Sequence, residues 1–240
     1  MNAFQSGKLK KAVTFSYDDG ITQDVQMIEL MNKYGLKGTF NLNSQLLGTT
    51  IFLAGKLPSG TAYRICHYKL RPEDVKYVYD GHEVAVHTLD HLNLTTLPDD
   101  QVIRQVEQDR LNLSELAGYE VVGMAYPCGG VNNDDRVAQL IREHTGVRYA
   151  RTTTTNNRFD VQENLFRFDP TSYHHDFKGM KQLAEQLIAS KPDKPQIFYI
   201  WGHSYEQDFR SEYWVQLEEF FQLISGHDDI FYGTNTEVLL

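Results

Sequence analysis

Strand-like and helix-like segments alternate along nearly all of this 240-residue chain, and that alternation narrows the fold more than any other feature. Residues 10–17 read as a β-branched and aromatic strand, and 21–34 as an amphipathic helix stopped by Gly35. Further strands are expected at 37–43, 82–87, 121–126, 147–151 and 196–201, with a last short one at 230–232 and an extended segment at 165–169. Helices are expected at 72–79, 98–117 (ended by Gly118), 133–144, 177–190 and 212–224. Residues 44–70, mixed apolar and rich in Gly and Pro, read as an inserted loop or hairpin over one rim. The tract 152–157 (TTTTNN) reads as a loop. Strands alternating with helices build a parallel sheet, and no internal repeat or boundary divides the chain. The expectation is an α/β fold of one domain, residues 1–240, as a closed or nearly closed parallel β/α (TIM-like) barrel.

In such a barrel the chemistry gathers at the C-terminal ends of the strands. The polar residues of this sequence fall there. The first strand runs Val13-Thr14-Phe15-Ser16-Tyr17 and stops in Asp18-Asp19-Gly20. Two adjacent carboxylates repel each other and need compensation; a divalent ion taking one would leave the other free as a base. Asp-Asp-Gly is also ordinary turn chemistry. His87 ends the third strand and is followed by Thr88-Leu89-Asp90-His91. Pro127-Cys128-Gly129 follows the fourth strand, Arg151 ends the fifth, and Gly202-His203 follows 196–201.

His87 and His91 are four residues apart, which on a helical turn puts both imidazoles on one face. The alternative is a strand-end polar residue beside a capping histidine. With Asp19 the pair makes a His₂-carboxylate set, the open arrangement typical of hydrolytic metals. Asp90 competes as a ligand, or faces solvent and orients the loop.

Composition removes other classes. A net charge of −9, from 23 Lys+Arg against 32 Asp+Glu, with no basic cluster, argues against nucleic acid and anionic membranes as partners. Two cysteines, Cys66 and Cys128, are too few for a disulfide scaffold. No apolar run reads as a signal peptide or transmembrane segment, so the expected location is the cytoplasm. Fourteen Tyr and 13 Phe suit a carbohydrate-facing cleft and a core equally.

Four motifs occur together. They are Tyr17-Asp18-Asp19-Gly20; His87-Thr88-Leu89-Asp90-His91, preceded by GHEVAV and followed by Leu92-Asn93-Leu94; Tyr126-Pro127-Cys128-Gly129; and Trp201-Gly202-His203-Ser204. In kind and order they resemble the polysaccharide deacetylase family, the NodB-homology domain of carbohydrate esterase type. The resemblance runs from about residue 13 to 203. It implies a distorted β/α barrel that hydrolyses N- or O-acetyl groups on sugars with a divalent metal. Matched by position, Asp18 falls on the family's catalytic base and Asp19, His87 and His91 on its metal ligands. The backbone N–H of Cys128 falls on the oxyanion donor, and His203 on the general acid.

Two positions depart from the family pattern. Its third motif usually begins with an arginine that restrains the catalytic aspartate; here Ala125 and Tyr126 stand there. Arg151 is the expected substitute, since strand alternation points it with Tyr149 and turns Arg148 the other way. The late motif normally reads Leu-x-His, and Trp201-Gly202-His203 would reshape the cleft floor. Tyr126 and Trp201 are thus candidate substrate contacts. Asp169 and Glu206 compete to orient His203. The Cys128 thiol reads as a small apolar filler, for no helix N-terminus or basic neighbour is evident to lower its pKa. His174-His175-Asp176 looks like a second ligand cluster, against which a solvated helix start is the favoured reading, and His67 and His82 read as structural.

The resemblance thus implies a metal-dependent deacetylase acting on an acetylated sugar or another small amide. Asp with two His suits Zn²⁺, and Co²⁺, Ni²⁺ and Mn²⁺ are compatible. A second reading keeps the site but cleaves another C–N bond, in a cyclic amide or ureide. A third is a non-catalytic sugar-binding barrel, against which the presence of both Asp18 and His203 argues.

Overall fold

The computed structural model describes residues 1–56 and 60–240. Its centre is β1 (Lys11–Asp18), in which every residue is buried. Such burial is expected of a strand covered on both faces in a parallel sheet. Around it lie β2 (Gly38–Leu42), β5 (Glu83–Val86), β6 (Gly123–Ala125) and β7 (Tyr149–Arg151) on one side, and β9 (Gln196–Gly202) and β8 (Ser172–Tyr173) on the other. All are parallel, in the order β7-β6-β5-β2-β1-β9-β8, with Phe15 opposite Gly38 and Val13 opposite Phe198. The sheet curls into a half-barrel, and beyond β7 it is continued only by an isolated bridge, Arg151 to Phe168. Phe168 takes the place of a strand beside β7, and three residues later Thr171 N–H donates to Tyr199 O of β9. β6 and β7, three residues each, leave too little ladder for a regular barrel, which is therefore distorted.

Helices α1 (Gln23–Lys33), α2 (Val75–Val78), α3 (Asp99–Ala117), α4 (Asp135–His144), α5 (Phe177–Ala189) and α6 (Ser211–Ile224) cover the curled sheet. They bury Met27, Met31, Val102, Val106, Ile141, Leu187 and Phe221 against it. Gly118 ends α3 at φ 79°, the left-handed conformation that glycine tolerates best. Residues 165–169, expected to be extended, begin instead with a 3₁₀ turn at Leu165–Arg167, because the Asn164 side chain accepts from Phe166 N–H and starts a turn. Among the strands and α-helices of the described residues, β8 and the terminal helix had no expectation attached. β8 is two residues long and leaves no periodicity to read. The terminal helix α7 (Asn235–Leu239), capped reciprocally by Thr234 and Glu237, joins β10 (Ile230–Tyr232) under the start of β1.

The 44–70 segment forms an antiparallel pair, β3 (Thr50–Lys56) and β4 (Ala62–Tyr68); residues 57–59 lie outside the described residues. Its base is tied to the stretch after Asp18-Asp19: Thr22 N–H donates to Tyr68 O, and Leu70 N–H to Gly20 O. Among the described residues, no helix is long and apolar enough to cross a membrane.

Candidate active site

The ends of β1, β5, β6 and β9 surround a cavity of about 510 Å³, lined among others by Asp18, Asp19, His87, His91, Trp201 and His203. Five non-glycine residues among those described have positive φ, and four gather here: Asp19 (89°), Thr88 (67°), His91 (63°) and Cys128 (68°). Each costs roughly 1–2 kcal/mol in a left-handed conformation, and such strain persists where the surroundings over-determine it. The surroundings are visible. Asn43 Nδ2 donates to the carbonyls of His87 (2.5 Å) and Thr88 (3.0 Å). Asp109 of α3 accepts from the N–H groups of Ser44 (2.7 Å) and His87 (3.2 Å). The His87–His91 segment is therefore not the helical turn that the spacing suggested. It is a loop with two left-handed residues, held by the end of β2 and by α3.

That loop brings two imidazoles to one carboxylate. His87 Nδ1 donates to Ala125 O at 2.9 Å, which leaves Nε2 free as a lone-pair donor. Burial lowers its pKa to about 4, so the ring is neutral at ordinary pH. The His91 ring lies 5.0 Å from that of His87, with its Nε2 3.7 Å from Asp19 Oδ1. Donor atoms of Asp19, His87 and His91 all lie within 4.8 Å of one another. One carboxylate and two imidazoles, one of them fixed as a neutral donor, fit a divalent ion. Asp90 lines the cavity but is not in that set, and its Oδ1 is buried without a partner.

The adjacent carboxylates are each compensated. Arg151 Nη2 meets both oxygens of Asp18, at 2.5 and 2.6 Å, and Asn41 Nδ2 donates to Oδ1 at 2.8 Å. Burial alone would raise the Asp18 pKa. The charge of Arg151, with that of the protonated His203, holds it below the usual carboxylate value. Arg151 is wholly buried and lies 4.7 Å from the Trp201 ring centre, while Arg148 is exposed. Asp19 has its own cation, Lys69, whose Nζ is 3.3 Å from Oδ1 and 2.5 Å from the Asp19 carbonyl. Lys69 had no part in the sequence reading. It follows β4, and nothing local in Tyr68-Lys69-Leu70 shows that a hairpin returns it to β1.

Of the two candidates to orient His203, the structure brings only Glu206 to it. Glu206 Oε2 is 3.1 Å from His203 Nδ1 and 2.7 Å from His174 Nε2, and Tyr173 Oη donates to Oε1. Asp169 accepts instead from Thr152 Oγ1. Burial would lower the His203 pKa, but Glu206, and behind it Asp19 and Asp18, raise it to about 9. Its Nε2 stands 4.0 Å from Asp18 Oδ2. His174 is not part of a solvated helix start. It is fully buried, with Glu206 on Nε2 and Gln207 Nε2 3.0 Å from Nδ1, while Asp176 caps α5 through Gly179 N–H.

Tyr126 lines the cavity with its ring and donates its hydroxyl to Phe166 O at 2.8 Å. Cys128 Sγ lies 3.8 Å from His91 Nδ1, and burial, then Asp19, push its thiol pKa up, away from nucleophilic character. His82 is engaged by Gly38 N–H and Asn32, as a structural residue would be. His67 is buried on the cavity wall with its ring centre 3.9 Å from that of Tyr205.

An ionised carboxylate facing a charged histidine, one step from three metal-type donors, makes this a β/α barrel with a hydrolase-like rim. The chain belongs to the polysaccharide deacetylase family, whose family model matches residues 5–150. Arg151 and His203 lie beyond that match. No curated protein matches the sequence. Solved structures share the fold at low identity. A family 4 carbohydrate esterase from Streptomyces lividans, in complex with acetate, is 15% identical with a TM-score of 0.57, covering 94% of this chain and 93% of its own. The peptidoglycan deacetylase PdaC from Bacillus subtilis is 17% identical with a TM-score of 0.53, covering 95% and 90%. A CE4 family pseudoenzyme from Bacillus anthracis is 18% identical with a TM-score of 0.53, covering 96% and 66%.

Proposed function

We propose that the chain, as one catalytic domain, is a metal-dependent hydrolase that removes acetyl groups from an N- or O-acetylated carbohydrate. The observation that carries this reading is the opposition of Asp18 and His203 across 4.0 Å, next to the Asp19, His87 and His91 donors. A pure binding barrel needs no such pair. A divalent ion held by those three residues, zinc being the best match to the donors, would supply Lewis-acid polarisation of the acetyl carbonyl and activation of water.

The rest falls to the chain. Asp18, ionised and held by Arg151 and Asn41, takes the proton of the attacking water. The Cys128 N–H, presented by a left-handed residue at the cavity, serves the developing oxyanion. His203, kept protonated by Glu206, gives its proton to the leaving nitrogen or oxygen. An amine leaves poorly without that proton, so His203 matters more for an amide than for an ester. Acetate release from a panel of N-acetyl and O-acetyl sugars, with cyclic ureides as controls, tests the reading. Turnover of ureides alone would replace it.

The pH dependence follows in sign. The rate needs Asp18 deprotonated and His203 protonated. It should therefore hold through neutral pH and fall as His203 loses its proton around pH 9. Glu206→Gln removes the charge that raises His203, so the alkaline limb of the kcat profile should move to lower pH. An unmoved limb would show that another group sets it.

A further inference from the structure

The hairpin over the rim places a wall at one end of the cavity. Residues 51 and 67 pair across it, as do 55 and 63, so Ile51, His67 and Tyr63 share one face. Phe52 and Tyr68, on the other face, are exposed. Ile51 and His67 line the cavity, joined by Leu46 and Lys69 from the same insertion. The facing side of the wall is the 3₁₀ segment Ser204–Phe209 that follows His203. The two are fastened by ring contacts, of which Tyr63–Phe209 is stacked and His67–Tyr205 tilted at 49°. His67 lies on Tyr205 at 3.9 Å, Tyr63 on Phe209 at 4.7 Å and 28°, and Tyr205 and Phe209 are 5.9 Å apart. Tyr63 can reach Phe209 because Gly55 lies beneath it; a Cβ there would sit 2.8 Å from the Tyr63 hydroxyl. Rings this close leave no gap for a sugar between hairpin and segment.

We infer that the cleft is blind on the hairpin side and accepts a short acetylated sugar, or the terminal unit of a chain, but not an interior unit of a polymer. This rests on the reading of the site as a carbohydrate deacetylase. A chain running through the site needs an exit on both sides of the reacting unit, and here one exit is filled. The cavity volume, about 510 Å³, falls in the range of about 300–1,000 Å³ found for small-molecule sites. The wall also carries a recognition group. His67 is 3% exposed, and its Nε2 is buried with no partner. Burial lowers the His67 pKa to about 4, so the ring is neutral and suits a sugar hydroxyl better than an anionic group. Gly129, Thr153 and Trp201 also line the cavity, and the inference puts the entry of the rest of the sugar on their side.

The test uses the full-length, zinc-loaded protein with N-acetylglucosamine, its oligomers of two to six units, and a soluble acetylated polymer of the same unit. Acetate release gives the rate, and mass spectrometry of the products places each free amine. The expected rate stops rising beyond two or three units, and the polymer loses acetate from chain ends only. Tyr63→Ala loosens the wall and should raise the polymer-to-dimer rate ratio roughly three- to tenfold, the scale of one aromatic pair. Interior deacetylation by the unmodified protein, or an unchanged ratio in Tyr63→Ala, would overturn the inference while leaving the deacetylase reading intact. Absence of acetate release at every length would overturn both.

Discussion

Asp18→Asn is expected to lower kcat by roughly 10²–10⁴, the range for a lost general base, while metal content stays at the level of the unmodified protein. The carboxylate is placed for that role by three contacts: Arg151 Nη2 on both oxygens and Asn41 Nδ2 on Oδ1. The substitution leaves the Arg151 guanidinium buried against a neutral amide, so stability should also fall, by up to about 3–5 kcal/mol for a broken buried pair. Rates must accordingly be read well below the variant's own Tm. Metal loss in Asp18→Asn would exchange the roles of the two carboxylates. Unchanged kcat would remove Asp18 from the chemistry.

The second large effect belongs to Arg151→Ala. Asp18 then loses the cation that holds its pKa below the ordinary carboxylate value, and its own burial pushes that pKa up. Because turnover needs the ionised form, the acidic limb of the pH–rate profile should move to higher pH, with kcat reduced and metal content unchanged. Stability carries the same sign. A depressed carboxylate pKa stabilises the fold above the unfolded value, and that contribution disappears as pH falls through the folded value. The Tm gap between the unmodified protein and Arg151→Ala should thus be widest at neutral pH and shrink below about pH 4. A kinetically silent Arg151→Ala would show that Asp18 works without its arginine.

Much of this was legible because it is written in local patterns. Buried parallel strands read as β-branched and aromatic runs, and their ends announce themselves where Asp18-Asp19, His87 and Arg151 interrupt them. The alternation that pairs Arg151 with Tyr149 is a property of any strand, and it places Arg151 inward without knowledge of the rest of the fold. What was not legible depends on long-range return of the chain. Lys69 meets Asp19 because a hairpin folds back over the rim, and His174 meets Glu206 because β8 runs beside β9. Neither partner lies near the other in sequence. The His87–His91 loop misled for a different reason. A four-residue spacing fits a helix, but Asn43 and Asp109 stabilise a left-handed turn that brings the same two rings together by another route. Between Asp169 and Glu206 the sequence offered no distinction, whereas the 3₁₀ turn after His203 puts Glu206 against the ring and Thr152 occupies Asp169.

The central claim is that Asp19, His87 and His91 hold one divalent ion on which turnover depends. Its most direct test is metal content, by mass spectrometry of the native protein and by elemental analysis, alongside acetate release for the unmodified chain and His91→Ala. The account predicts about one zinc-like ion per chain that chelator removes together with activity, and its loss in His91→Ala with the fold retained. Full metal content in a folded His91→Ala, or undiminished acetate release after the ion is stripped, would contradict it.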